Sequence, residues 1–208
     1  MTIPYVTFLK HAQKVKKTAS AGRPILKGVY HAPDGSLAVT DSHRLYFAKN
    51  AHSNTESSVV EPKTGAVIEG NYPDVTKLLP DSRDAKYFVR LDVKQAVDAF
   101  AVLIKSAQVP DRKAIPTVNA TVGDGRTLIF DVENIAMKSQ YTAPLVVDGQ
   151  GDKMTFNAQY FADALALFKD AGAAEVTMRY YGSTRPFTLT AGADDELLAL
   201  ILPIRTSK

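Results

Sequence analysis

Residues 23–49 read RPILKGVYHAPDGSLAVTDSHRLYFAK, and their pattern organises the rest of the chain. An apolar run, PILKGVYHA, meets the turn Pro33-Asp34-Gly35, and a second run, SLAVTDSHRLYFAK, follows as a strand. Asp-Gly between alternating runs is a strong hairpin signal. Upstream, roughly Tyr5 to Ser20 has helical periodicity. With successive residues 100° apart, Phe8, Leu9, Ala12 and Val15 form one stripe, while Lys10, Lys14 and Lys17 share the opposite face. The unit is therefore a helix, a strand, a glycine turn and another strand.

The same order returns twice. A second unit opens at Tyr87 with the strand YFVRL, caps a helix with Asp92, and continues through PTVNATV, Gly123-Asp124-Gly125 and RTLIFDVENI. A third begins at Met154 with MTF, caps its helix with Asn157, and continues through AEVTMRYY, Gly182-Ser183-Thr184, RPFTLTA and the apolar strand LLALILPI. Units two and three superpose at a fixed offset, so that Leu91, Asp92, Asp98, Ala99 and Phe100 fall on Phe156, Asn157, Asp163, Ala164 and Leu165. One helix on a small sheet cannot bury both surfaces of that sheet, so units two and three should pair into one domain, residues 85–208. Unit one and an irregular arm from about Ala51 to Asp84 make a partial domain, 1–84; Pro62, Pro73 and Pro80 suit an arm that crosses a surface. The second helix should bury Val93, Ala96, Val97, Phe100, Leu103 and Ile104, exposing Lys94 and Lys105; the third should bury Phe161, Ala164, Leu165 and Phe168. Aromatics at this spacing are core, and no functional role is assigned to them.

Composition narrows the class. The 208 residues are 45% apolar and 23% charged, an ordinary globular balance. No cysteine is present, which removes disulfides, zinc–thiolate centres, iron–sulfur clusters and cysteine nucleophiles. No run of apolar residues suggests a signal peptide or a membrane span, and a cytoplasmic location is expected. The net charge of +3 is unevenly placed: residues 1–50 hold eight basic and two acidic residues, +6, so the remainder sums to −3. A basic N-terminal quarter on an acidic body points to an anionic partner there.

Catalytic motifs are missing. No Walker loop, Rossmann fingerprint, HExxH or GxSxG occurs, and Gly149-Gln150-Gly151 reads as a turn. The histidines His11, His31, His43 and His52 are not at metal-ligand spacing, and neither metal nor cofactor is expected. Asp41-Ser42-His43 imitates a triad in composition only: on an extended strand Ser42 would face away from the other two. The chain is read as a non-enzyme.

The stretch RPILKGVYHA…SLAVTDSHRLYFAK resembles the central-domain signature of the bacterial sliding clamp family, the DNA polymerase III beta subunits. GNYPDVTKLLP, residues 70–80, is similar to the segment closing that domain. FNAQYFADALALF, STRPFTL and LLALILPIR resemble the last half-domain, while residues 87–150 match mainly in pattern. The resemblance implies an α+β DNA-clamp fold of repeated helix-plus-antiparallel-sheet half-domains. Relative to the family, the first domain and the second half of the central one are missing, which leaves three half-domains. Ser42 stands where the family has glycine, and Thr206, Ser207 and Lys208 extend past Arg205.

The resemblance also implies a site. The family binds short linear peptides of polymerases and repair proteins between its central and last domains. Carried over by position, that pocket is lined by Leu26, Thr40, Ser42, His43, Arg44 and Leu45, by Pro73, Lys77 and Leu78 of the arm, and by Leu200, Leu202, Pro203, Ile204 and Arg205. Its implied partners are duplex DNA, replication and repair enzymes, a clamp loader and further copies of itself in a ring. Lys10, Lys14 and Lys17, with Lys94 and Lys105 second, are the candidates for sequence-independent phosphate contacts. Two readings follow: a processivity factor riding on duplex DNA, or a peptide-binding adaptor or decoy that keeps the pocket without encircling DNA. Closing a ring of the family's size from three half-domains per chain takes four chains, with unit one completed by unit one of a neighbour; the alternative is a monomer or dimer that never encircles DNA.

Overall fold

The structure, a computed structural model, describes residues 2–124, 126–146 and 153–205. Three helices, α1 (Tyr5–Thr18), α2 (Val93–Ala107) and α3 (Ala158–Asp170), lie side by side, with α3 touching both others. Unit one supplies strands β1 (Val29–His31), β2 (Leu37–Thr40), β3 (Arg44–Ala48) and β4 (Ser58–Val60). Unit two supplies β5 (Tyr87–Asp92), β6 (Thr117–Gly123), β7 (Thr127–Glu133) and β8 (Lys138–Pro144). Unit three supplies β9 (Met154–Asn157), β10 (Glu175–Tyr180), β11 (Phe187–Ala191) and β12 (Leu197–Ile201). They form an eight-stranded sheet, β4-β1-β2-β3-β12-β11-β10-β5, and a four-stranded sheet, β8-β7-β6-β9.

The strand order shows how the repeats hold together. The leading strand of unit two, β5, pairs with β10 of unit three, and the leading strand of unit three, β9, pairs with β6 of unit two. Each unit thus lends a strand to the other's sheet. The helix caps that the sequence marks are formed: the Asp92 carboxylate accepts from Gln95 N–H and the Asn157 side chain from Gln159 N–H. Between the sheets sits an aromatic core in which Phe100 stacks on Phe161 at 4.2 Å, surrounded by Phe130, Phe156 and Phe187. Unit one joins the same sheet through β3 and β12, where Leu45 opposes Leu200.

Strands β2, β3 and β12 are buried throughout because each of their faces has a cover. Leu37, Val39, Tyr46, Ala48, Leu197, Ala199 and Ile201 meet the helices. Ala38, Leu45, Phe47, Leu198 and Leu200 form a second, smaller core with Val75, Tyr72 and Leu79 of the arm. Alternate residues therefore serve two cores.

Several sequence expectations are corrected. SLAVTDSHRLYFAK is two strands, not one: the chain reverses at Asp41–His43, with Ser42 at φ 76° and the Asp41 carboxylate accepting from the backbone N–H of His43 (2.9 Å) and Arg44 (3.0 Å). PILKGVYHA begins as a 3-10 turn, Pro24–Lys27, before β1. Helix α1 ends at Thr18, and its buried stripe includes His11, with Leu9 only half-buried. The arm holds β4 and two 3-10 turns, Thr76–Leu78 and Ser82–Asp84. β8 follows the expected second-unit hairpin as a further strand. Gly125, Gly149-Gln150-Gly151 and the end at 206–208 lie outside the described residues.

Candidate functional site: a cleft between hairpin, arm and last strand

The 41–43 turn is set by buried charge. Arg44 enters the protein beneath it and donates from Nη1 to Asp163 Oδ2 (2.7 Å), from Nε to Asp41 Oδ2 (3.2 Å) and from Nη2 to the Lys14 carbonyl (3.3 Å). Its guanidinium lies 4.4 Å from the Tyr160 ring centroid. Burial alone would raise the Asp163 carboxyl, but Arg44 and Lys14, whose Nζ is 3.0 Å away, outweigh it and hold that pKa below the ordinary range. Thr18 donates its hydroxyl to Asp41 as well. One network thus joins α1, the turn and α3.

The arm is pinned across the sheet next to this turn. The Thr40 N–H donates to the Tyr72 hydroxyl at 3.1 Å, and Tyr72 stacks on Tyr30 with centroids 5.3 Å apart. Burial pushes the Tyr72 hydroxyl well above its ordinary pKa, so it stays neutral. The last strand closes the third side: Leu202 N–H donates to the His43 carbonyl at 2.9 Å. A cleft of about 290 Å³ remains between the three.

Of the residues expected from sequence, Leu26, Thr40, Ser42, His43, Arg44, Leu45, Pro73, Leu78, Leu200 and Leu202 line this cleft. Lys77, Pro203, Ile204 and Arg205 do not. Lys77 is engaged with Asp74 at 3.2 Å, and beyond Pro203 the chain turns to β9, where Ile204 N–H donates to the Thr155 carbonyl at 2.7 Å. Arg23, Val75 and Pro186 also line the cleft and were not named from sequence. Arg23 and Pro186 lie inside RPILKGVYHA and STRPFTL, the motifs already singled out, so the signal was present. Val75 lies inside GNYPDVTKLLP, likewise a quoted motif, so its signal was present too. Arg44 is mainly a structural cation, since two carboxylates neutralise it.

Asp41-Ser42-His43 has no triad geometry. The Asp41 carboxylate is taken up by the turn and Arg44, and the His43 ring stacks 6.4 Å from the Tyr160 ring. The turn, rather than an extended strand, separates the groups.

The five expected phosphate-binding lysines divide. Lys10 pairs with Asp170 (2.8 Å) and Lys14 with Asp163 (3.0 Å), both carboxylates belonging to α3. Lys17, Lys94 and Lys105 are exposed and make no ion pair among the described residues. Among the described residues no three side chains of metal-ligating type come together, and no helix is long and apolar enough to cross a membrane.

No protein-family model matches the chain. Among curated proteins it is 26% identical over 175 residues to the Beta sliding clamp of Bacillus subtilis, covering 82% of this chain and 41% of that protein. It is 28% identical over 152 residues to the Beta sliding clamp of Staphylococcus epidermidis, covering 67% and 35%. Among solved structures, the DNA polymerase sliding clamp from Bacillus subtilis matches with a TM-score of 0.77 at 22% identity over 99% of this chain and 64% of that one. The beta subunit from the DNA polymerase of Streptococcus pyogenes matches at 0.78 with 21% identity, over 97% and 64%. The chain thus spans well under half the length of these curated relatives and just under two thirds of the solved chains. Over the part that it spans, in sequence and in fold, the chain resembles the bacterial beta sliding clamps, the beta subunits of DNA polymerase III.

Proposed function

We propose that the chain acts as a sliding-clamp-like processivity factor in DNA replication or repair, docking linear peptides of polymerases and related enzymes in the cleft while the helix layer rests on duplex DNA. The carrying observation is the cleft itself: Leu26, Leu45, Val75, Leu200 and Leu202 converge from three separate segments into one concave apolar site. Such a site suits an extended peptide with aliphatic or aromatic anchors, because two buried apolar side chains supply most of the affinity of a short motif. No reactive group is needed; the chemistry is non-catalytic. In this reading residues 1–84 and 85–208 are a partial and a full clamp domain, copies of the chain associate, and a clamp loader places them on DNA. The work is done in the cytoplasm.

DNA retention in this reading depends on Lys17, Lys94 and Lys105, which contact phosphates without reading bases. A second reading, an adaptor or decoy that holds partners without encircling DNA, is favoured by one observation: Lys10 and Lys14 are already neutralised by Asp170 and Asp163.

Calorimetric titration with a synthetic peptide carrying adjacent aliphatic and aromatic anchors tests the cleft. Leu202→Ala should weaken binding by about 1–3 kcal/mol, the cost of truncating a buried anchor. Ile204→Ala, outside the cleft, should leave it unchanged. Equal affinity for wild type and Leu202→Ala would remove the assignment. Retention on nicked circular duplex then separates the two readings.

A further inference from the structure

The arm divides the outer face of the eight-stranded sheet, and the cleft occupies one side of it. On the other side lies a second cavity of about 350 Å³. The two are successive on the same strands. Leu45 of β3, Pro186 just before β11 and Leu200 of β12 line the cleft, and the residues two positions along, Phe47, Thr188 and Leu198, line the second cavity. A step of two along a strand keeps the same face and advances about 7 Å. The partition between them is the 3-10 turn Thr76–Leu78 and its exit: Leu78 borders the cleft, while Leu79 and Pro80 border the second cavity.

This cavity combines apolar walls, buried hydroxyls and a mouth whose charges cancel. Phe47 and Leu198 are buried and belong to the small core against which Leu79 of the arm packs. Beside them Thr188 and Tyr181 are 1% and 3% exposed. Their hydroxyls stand 3.5 Å apart, longer than the roughly 2.5–3.0 Å of a well-made O–H···O bond, so both keep capacity for a better partner. At the mouth Arg179 Nη1 pairs with Asp195 Oδ2 at 3.1 Å, and Lys49 Nζ donates to the Asp194 carbonyl at 2.6 Å. Two cations and two carboxylates thus share the rim and offer a charged side chain no net attraction.

We propose that this cavity takes a tyrosine side chain of the same partner chain whose apolar anchors fill the cleft; the inference rests on the peptide-docking reading of the cleft. The occupant follows from the lining. Buried apolar walls call for a ring or an aliphatic chain, underused hydroxyls call for a polar tip, and cancelled rim charges favour a neutral group. A phenol has all three properties, and tyrosine is a frequent interface anchor for that reason. The reach also fits. From Leu202 in the cleft to Leu198 in the cavity is four strand positions, about 14 Å, which about five linking residues of extended chain cover with slack to pass over Leu78. Once the cleft holds the first anchors, the second docking is intramolecular, so a modest contact strengthens the whole.

Calorimetric titration of the full chain with synthetic peptides tests it. The first is the short cleft peptide with adjacent aliphatic and aromatic anchors; two others extend it by about five Gly/Ser residues and a tyrosine, at one end or the other. One extension should bind roughly tenfold more tightly than the short peptide, or better. Replacing its tyrosine by phenylalanine should cost about fivefold, the worth of one hydrogen bond. In the double variant Thr188→Val, Tyr181→Phe the short peptide should bind as before while the tyrosine and phenylalanine extensions become equal, a coupling that a general disturbance of the sheet does not produce. No gain from either extension, a phenylalanine extension as tight as the tyrosine one, or a difference that survives the double variant would each overturn the proposal, and the cleft assignment would stand as long as the short peptide binds. A chain that does not bind the short peptide overturns both.

Discussion

At the scale of single residues, Ser42 and the buried histidines are the most telling. Ser42 sits at φ 76°, where a Cβ is strained and glycine is not. Among the described residues its exposed hydroxyl makes no hydrogen bond that offsets the strain, so Ser42→Gly should stabilise the fold by about 1 kcal/mol, the lower end of the left-handed penalty for an L-residue. Chemical denaturation reads this directly. His11 and His31 act in the opposite sense. Burial lowers the pKa of both, against the pull of Asp170 on His11 and of the Val29 carbonyl on His31. As pH falls below the ordinary histidine value, the unfolded chain takes up protons that the folded one refuses, so stability falls. Asp163 and Asp170, whose pKa values are held down, add a second loss only at more acid pH, below the ordinary aspartate range. A thermal-melt series from pH 7 to 5 should therefore slope downward toward acid, and His11→Leu should flatten part of that slope. A slope unchanged in the variant would mean that His11 titrates alike in both states.

At the scale of elements, the sequence shows helices and hairpins whose two faces differ in polarity and conceals those whose faces do not. α2 and α3 were legible because Asp92 and Asn157 cap apolar stripes at helical spacing. β8, KSQYTAP, lies at a sheet edge with one side in water and carries too few apolar residues to show alternation. The 41–43 turn was concealed for the opposite reason: apolar residues run on both sides of it, and only the Asp41 carboxylate, bonding to two backbone N–H groups, announces the reversal. Most of the cleft was legible through the quoted motifs, but its closure depends on the arm, whose path follows from packing. Tyr72→Phe tests that path. The change keeps the ring on Tyr30 and deletes the acceptor for the Thr40 N–H, leaving a largely buried donor unpaired at a cost of about 1–3 kcal/mol. Amide exchange at Thr40 should quicken and peptide affinity should fall, because Pro73 and Val75 lose their anchor. Slow exchange in the variant would show that the arm is held without that hydroxyl.

At the scale of the whole molecule, charge decides how the helix layer would meet DNA in the proposed function. The sequence placed a basic quarter at the N-terminus, and the fold brings α3 alongside it with two carboxylates, Asp163 and Asp170, that answer Lys14 and Lys10. No pattern along the chain could reveal this compensation, since the partners lie about 150 positions away, far beyond the reach of a helical period. The consequence is quantitative. If Lys17, Lys94 and Lys105 alone release counterions, binding to duplex DNA should depend on salt with a log–log slope of about −3 per chain, against about −4.5 if all five lysines engage phosphate. Fluorescence anisotropy on a labelled duplex across a salt series measures the slope. Asp170→Asn, which frees Lys10, should steepen it by about one unit. A slope already near the five-lysine value in the wild type would mean that DNA displaces Asp163 and Asp170 from their lysines, and that the helix layer reorganises when it meets phosphate.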